Sequence, residues 1–96
     1  MGELVTVIDV VRDLDSFDSE AIICAKQPWA EDSQAMVIID PQARRIPAEA
    51  ESVGMTYFLE VFIARDFLIG WRANLDTEPT LQQKCARLIE YAITDV

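Results

Sequence analysis

Apolar and polar positions alternate along this chain in two rhythms, one helical and one extended, and together they predict most of its elements. In residues 6–14, TVIDVVRDL, the apolar side chains Val7, Val10, Val11 and Leu14 fall at i, i+3, i+4 and i+7, which places them on one face of a helix. Thr6 precedes them and Asp9 lies three residues on, the spacing of a capping box, with Val5 and Val10 placed for a hydrophobic staple. The valine content would also suit a strand; the expectation adopted is a helix. The polar stretch DLDSFDSE then reads as a loop. AIICA, residues 21–25, and AMVII, residues 35–39, are short apolar runs bounded by turn residues, the pattern of buried strands. KQPWAEDSQ joins them as a long hairpin connection, and Asp40-Pro41 ends the second strand because proline cannot continue a ladder.

Residues 41–54 read as a loop holding one short helix, opened by Pro47 and closed by Gly54. The most apolar part of the chain follows, YFLEVFIARDFLIGWRANL, residues 57–75, and is expected to form one long helix. Tyr57, Val61, Ala64, Leu68, Trp71 and Leu75 are spaced alternately four and three apart, a continuous stripe. Phe58, Phe62 and Ile69 lie about a hundred degrees round the helix from that stripe. The last helix has the clearest start signal, Thr80-Leu81-Gln82-Gln83, again a capping box. Its apolar face is Leu81, Cys85, Leu88, Ile89, Ala92, Ile93 and Val96, with Lys84, Arg87 and Glu90 facing away. The resulting expectation is a single α+β domain over residues 1–96 in the order α-β-β-α-α, a short antiparallel hairpin packed with a long central helix and a C-terminal amphipathic helix.

That architecture raises a question of cover. A helix with two apolar faces has to be enclosed on two sides, and a two-stranded hairpin is marginal by itself. One small chain supplies little to enclose both, so association of two copies is expected, with Phe58, Phe62 and Ile69 at the dimer interface and the longer stripe packed inside its own chain. At helical rise the segment is also roughly 28 Å long, the thickness of a bilayer core, yet Glu60, Arg65, Asp66 and Arg72 within it exclude a membrane span. None of the four has an opposite charge three or four residues away in the same segment. Their partners are therefore sought on the last helix, on a second subunit, or in water.

Charge narrows the partners. Eight Lys+Arg stand against 17 Asp+Glu, a net charge of -9. That sign argues against nucleic acid and anionic lipid and permits a basic protein. The excess is concentrated early, since residues 1–32 carry a balance of -6. A partner-binding surface is accordingly expected from Asp13, Asp15, Asp18, Glu31 and Asp32, with Trp29 in the hairpin connection as its aromatic anchor; the alternative for Trp29 is a ring folded over the sheet.

Candidate chemistry is sparse. There is no histidine, which removes the commonest general base and metal ligand, and three glycines cannot build a phosphate-binding loop. Asp13, Asp15, Asp18 and Glu20 loosely resemble a calcium loop in spacing, but Phe17 occupies a ligand position and Asp18 the position that needs glycine. No metal, cofactor or catalytic residue is expected. Cys24 and Cys85 sit in apolar runs and are expected as buried, reduced thiols of a cytoplasmic protein, consistent with the lack of a signal-peptide pattern in MGELVT. Arg44-Arg45, the only basic doublet, is a candidate anion holder or a solvated loop. The function these features suggest is a non-enzymatic, homodimeric interaction protein, of inhibitor or immunity type, for a basic partner. The alternative is a small-molecule binder with an aromatic pocket near Tyr57, Phe58, Phe62 and Trp71.

Overall fold

A computed structural model describes residues 4–39 and 48–94 of the chain. Its centre is a four-stranded antiparallel sheet. Strand β1, Val5–Thr6, leads directly into helix α1, Val7–Arg12, and a 3-10 turn at Leu14–Ser16. Strands β2, Ile22–Ala25, and β3, Gln34–Ile38, form the expected hairpin. Helix α2, Ala48–Glu51, precedes strand β4, Thr56–Glu60, and helices α3, Val61–Arg72, and α4, Leu81–Thr94, complete the chain. The strand order is β1-β3-β2-β4. The α+β class is as expected; the order of elements is not, because two strands join the hairpin, one at each edge.

The local signals explain most of these elements. Thr6 and Asp9 close the capping box at the start of α1, with the Asp9 N–H donating to Thr6 Oγ1 at 3.4 Å and the Thr6 N–H to Asp9 Oδ2 at 3.2 Å. Thr80 and Gln83 do the same for α4, at 3.1 and 2.8 Å. Gly54, at φ +80°, ends the α2 turn in the left-handed region that a side chain resists. Pro41 and Pro47, two other expected boundaries, lie outside the described residues.

The main departure falls in residues 57–75. The chain runs extended through residue 60 and turns helical at Val61 with no glycine or proline between. Val61 N–H still donates to the Ala21 carbonyl at 2.9 Å, so the last rung of the sheet and the first turn of α3 meet at one residue. Tyr57, Phe58 and Leu59 are thus strand residues. A bulge opposite Ile23 and Cys24 shifts the register, pairing Ile23 with Leu59 and Cys24 with Tyr57, and leaves Phe58 as the extra residue. Two consecutive side chains, Phe58 and Leu59, thereby enter the same core, at 2% and 1% exposure. In a regular strand they would point to opposite faces.

The sheet is covered on both faces. Ile23, Ala25, Ala35, Phe58 and Leu59 pack beneath Val7, Val10 and Val11 of α1, Val61, Ala64 and Leu68 of α3, and Cys85, Leu88 and Ala92 of α4. Cys24, Met36 and Ile38, on alternate positions, pack with Ala50 of α2 and with Met55. The buried stripe of α3 is the expected one from Val61 to Trp71, while Tyr57 belongs to β4 and Leu75 is exposed. Between α3 and α4, Phe67 stacks on Tyr91 with ring centroids 4.1 Å apart, and the Arg87 guanidinium lies 5.1 Å over the Phe67 ring. Lys84 and Arg87 therefore both engage the neighbouring helix or its loop, where the periodicity turned them to solvent.

Candidate functional site

Three of the four charges in the apolar segment find partners within the chain. Arg65 reaches across to the end of the 3-10 turn, donating to the Leu14 carbonyl at 3.2 and 3.0 Å and to the Phe17 carbonyl. These carbonyls sit at the C-terminal end of a helical stretch, where partial negative charge collects and a cation is favoured. Arg72 pairs with Glu78 at 3.3 Å, and Lys84 takes the other oxygen of the same carboxylate at 3.0 Å. Glu60 accepts from the Tyr57 hydroxyl at 3.2 Å. Asp66 is exposed to water.

The acids of the expected partner surface are exposed and flank α1. Glu31 and Asp32 lie at its N-terminal end, where the Ile8 N–H donates to the Glu31 carbonyl at 2.9 Å. Asp13 and Asp15 lie at its C-terminal end, and Asp18 follows the 3-10 turn. Not all of this charge is free. Arg12 is held by Asp9 at 3.1 Å and by Asp13 at 3.3 and 3.1 Å. Asp18 accepts the Glu20 N–H at 2.8 Å, a local turn bond that ties this acid to the loop's shape. The carboxyl of Asp9 is held below its usual range, first by its hydrogen bonds with Thr6 and then by Arg12.

Trp29 adopts the second of its two expected arrangements. Its ring is half-buried against Phe58, edge to face at 4.9 Å between centroids, and its Nε1–H donates to the Ala25 carbonyl at 3.3 Å. Both ends of the indole are thus satisfied inside the chain, and Trp29 closes the rim of the core rather than projecting from it.

The three residues expected at a dimer interface do not share a surface. Phe58 is buried on β4, whereas Phe62 and Ile69 stand on the outward face of α3, two turns apart, at 45% and 63% exposure. The strand-to-helix change at residue 60 separates them. It also disperses the expected aromatic pocket: Tyr57 pairs with Cys24 on one side of the sheet, Phe58 and Trp71 pack with the core on the other, and Phe62 is exposed.

Both thiols are fully buried, and burial pushes each up to about 11; the charge of Glu31 adds to the effect on Cys85. A thiol in that state is a poor nucleophile at neutral pH. Among the described residues, no group of three or more carboxylates or thiols comes together to hold a metal ion, and no helix is long and apolar enough to cross a membrane. Arg44 and Arg45 lie outside the described residues.

A feature the periodicity did not predict is a cleft of about 340 Å³ between the 3-10 turn, α3 and α4. Its cations are Arg12, Arg65, Arg72 and Lys84, half of the Lys and Arg in the chain. The signal was present in the sequence: Arg65 and Arg72 are seven residues apart and so share a helix face. What the sequence withheld was the packing of α4 that brings Lys84 alongside them. No family model matches this chain, and neither a curated protein nor a solved structure matches it.

Proposed function

We propose that this chain is a non-enzymatic interaction protein of the cytoplasm that works as a homodimer and offers the acidic surface around α1 to a basic protein, as an inhibitor or immunity-type protein would. The observation that carries the reading is the outward face of α3. Phe62 and Ile69 are large, apolar and exposed on a helix whose other apolar side chains are buried or half-buried. Exposed apolar side chains on one face of an ordered helix support a docking surface. The concentration of exposed acids at both ends of α1 supports the second half of the reading, since such a surface steers and orients a cationic partner.

Light scattering at micromolar concentration tests the first half; twice the subunit mass is expected, and a clean monomer ends the homodimer. Capture from a native lysate tests the second, comparing the natural chain with one in which Asp13, Asp15, Asp18, Glu31 and Asp32 are changed to the corresponding amides. A basic protein retained by the first and lost by the second at low salt is expected. Equal retention by both removes the acidic surface from the account.

A further inference from the structure

We propose that the cleft between the 3-10 turn, α3 and α4 is a binding site for a small organic acid, its carboxylate held between Arg72 and Lys84 and its apolar part lying on Val11, Leu14, Leu68 and Ile69. The cleft has the size and mixed lining of a ligand site, about 340 Å³, with the apolar side chains of Val11, Leu14, Leu68 and Ile69 beside four cations and the solvent-exposed carboxylate of Asp15. A second hollow of about 290 Å³ adjoins it, sharing Ile69 and Arg72 and bounded by Ala73 and Glu78. The two meet at Ile69 and Arg72, and Glu78 lines only the second.

The cations of the cleft are not equivalent. Arg12 is committed to Asp9 and Asp13, and Arg65 to the backbone carbonyls of Leu14 and Phe17. Arg72 and Lys84 differ from these. They come from different helices, and both are held by one carboxylate, that of Glu78, which takes Arg72 on Oε1 and Lys84 on Oε2. Their spacing therefore fits a single carboxylate group. Glu78 belongs to the connection between α3 and α4 and is itself 60% exposed, so water can receive it when it leaves. A carboxylate of the chain thus stands where the ligand's would bind. An exposed ion pair of this kind contributes little to stability, so exchanging Glu78 for an external carboxylate costs little.

The same features define the ligand's chemistry. Inorganic phosphate would satisfy the cations and leave the apolar side chains wet. A polyanionic partner would meet the -9 charge of the whole chain. A monoanion with a short apolar portion meets neither objection, because its charge is local and its tail covers Leu68 and Ile69.

The test is a backbone amide NMR titration of the full chain with 3-phenylpropanoate, its uncharged analogue 3-phenylpropan-1-ol, and inorganic phosphate. Saturable shifts from phenylpropanoate are expected at Leu68, Ile69, Arg72 and Lys84, with the alcohol and phosphate binding at least fivefold more weakly. Glu78→Gln removes the internal competitor and is expected to raise phenylpropanoate affinity at least threefold. Arg72→Met keeps the apolar stem and is expected to lower it at least threefold with the rest of the spectrum unchanged. Failure of phenylpropanoate to saturate even the Glu78→Gln chain overturns the proposal. So does saturation centred on other residues, equal binding of the alcohol or phosphate, or an affinity indifferent to Glu78.

Discussion

Arg65 shows how one side chain can look misplaced in a sequence and be structural in the fold. Its guanidinium ties α3 to the carbonyls of Leu14 and Phe17, with Asp15 3.8 Å away. Hydrogen bonds from a charged donor are each worth roughly 1.5–3 kcal/mol, partly recovered by water when the donor is removed. Arg65→Met is therefore expected to cost about 2 kcal/mol in urea denaturation; a loss under about 0.5 would mean that these carbonyls rehydrate freely. The two thiols make a second prediction at this scale. Cys24 and Cys85 should resist a thiol reagent in the native protein and react at once in denaturant, and fast native reaction of both would contradict their burial. Their raised values also set a pH dependence. Burial favours the neutral thiol, so its contribution is complete below the ordinary value near 9 and is lost as pH rises through about 11. Stability measured between pH 8 and 11 should fall less steeply in Cys24→Ala and Cys85→Ala than in the natural chain, while a parallel slope in both variants would assign the loss to other groups.

At the scale of elements, the sequence was legible wherever an element carried its own boundary. Thr6 with Asp9, Thr80 with Gln83, and Gly54 each marked an end that the structure keeps, and the runs around Ile23 and Val37 were short enough to be strands. It was not legible where two elements abut. Glu60 is extended at φ -75° and ψ 150°, and Val61 is already helical, so periodicity passes from one rhythm to the other without punctuation. The bulge at Phe58 conceals the change further, since two adjacent buried side chains imitate a helical face. Tyr57, Phe58 and Thr56, all β-favouring and set just after a left-handed glycine, were the available sign of a strand. The cleft was not legible for another reason: Arg72 meets Glu78 and Lys84 only once α4 packs beside α3, and no local signal sets that packing. The glycines that bracket this region separate backbone from space. An added Cβ meets nothing within 4 Å at either Gly54 or Gly70. Gly54→Ala should nonetheless cost about 1 kcal/mol because its φ is positive. Gly70→Ala, inside α3, should stabilise by roughly 0.5–1 kcal/mol. Thermal unfolding of the two variants checks both signs, and a stabilising Gly54→Ala would show that the turn relaxes.

For the whole molecule, a dimer has to rest on something other than the hairpin. A bare hairpin needed cover, but the sheet has four strands and elements packed on both faces, so the sheet no longer asks for a second copy. Its edges do not ask either. β1 is two residues long and β4 is interrupted by its bulge, two devices that discourage edge-to-edge pairing. What remains is exposed apolar surface, Leu4, Ile39 and Ile93 singly and, on one helix face, Phe62 and Ile69 of α3. This makes the choice of substitution decisive. Phe62 is 45% exposed, so in Phe62→Glu the new carboxylate reaches water within the subunit, and the circular dichroism and unfolding cooperativity of the chain should be retained. If α3 is the interface, that same variant places two charges in a closing apolar contact and should scatter light as a monomer at concentrations where the natural chain is dimeric. Phe58→Glu is the contrast. Its side chain is 2% exposed and packed against Trp29, with no route to water, and the fold should collapse whatever the state of association. A Phe62→Glu chain that stays dimeric would move the interface off α3, and one that unfolds would show that this face is already enclosed by its own subunit.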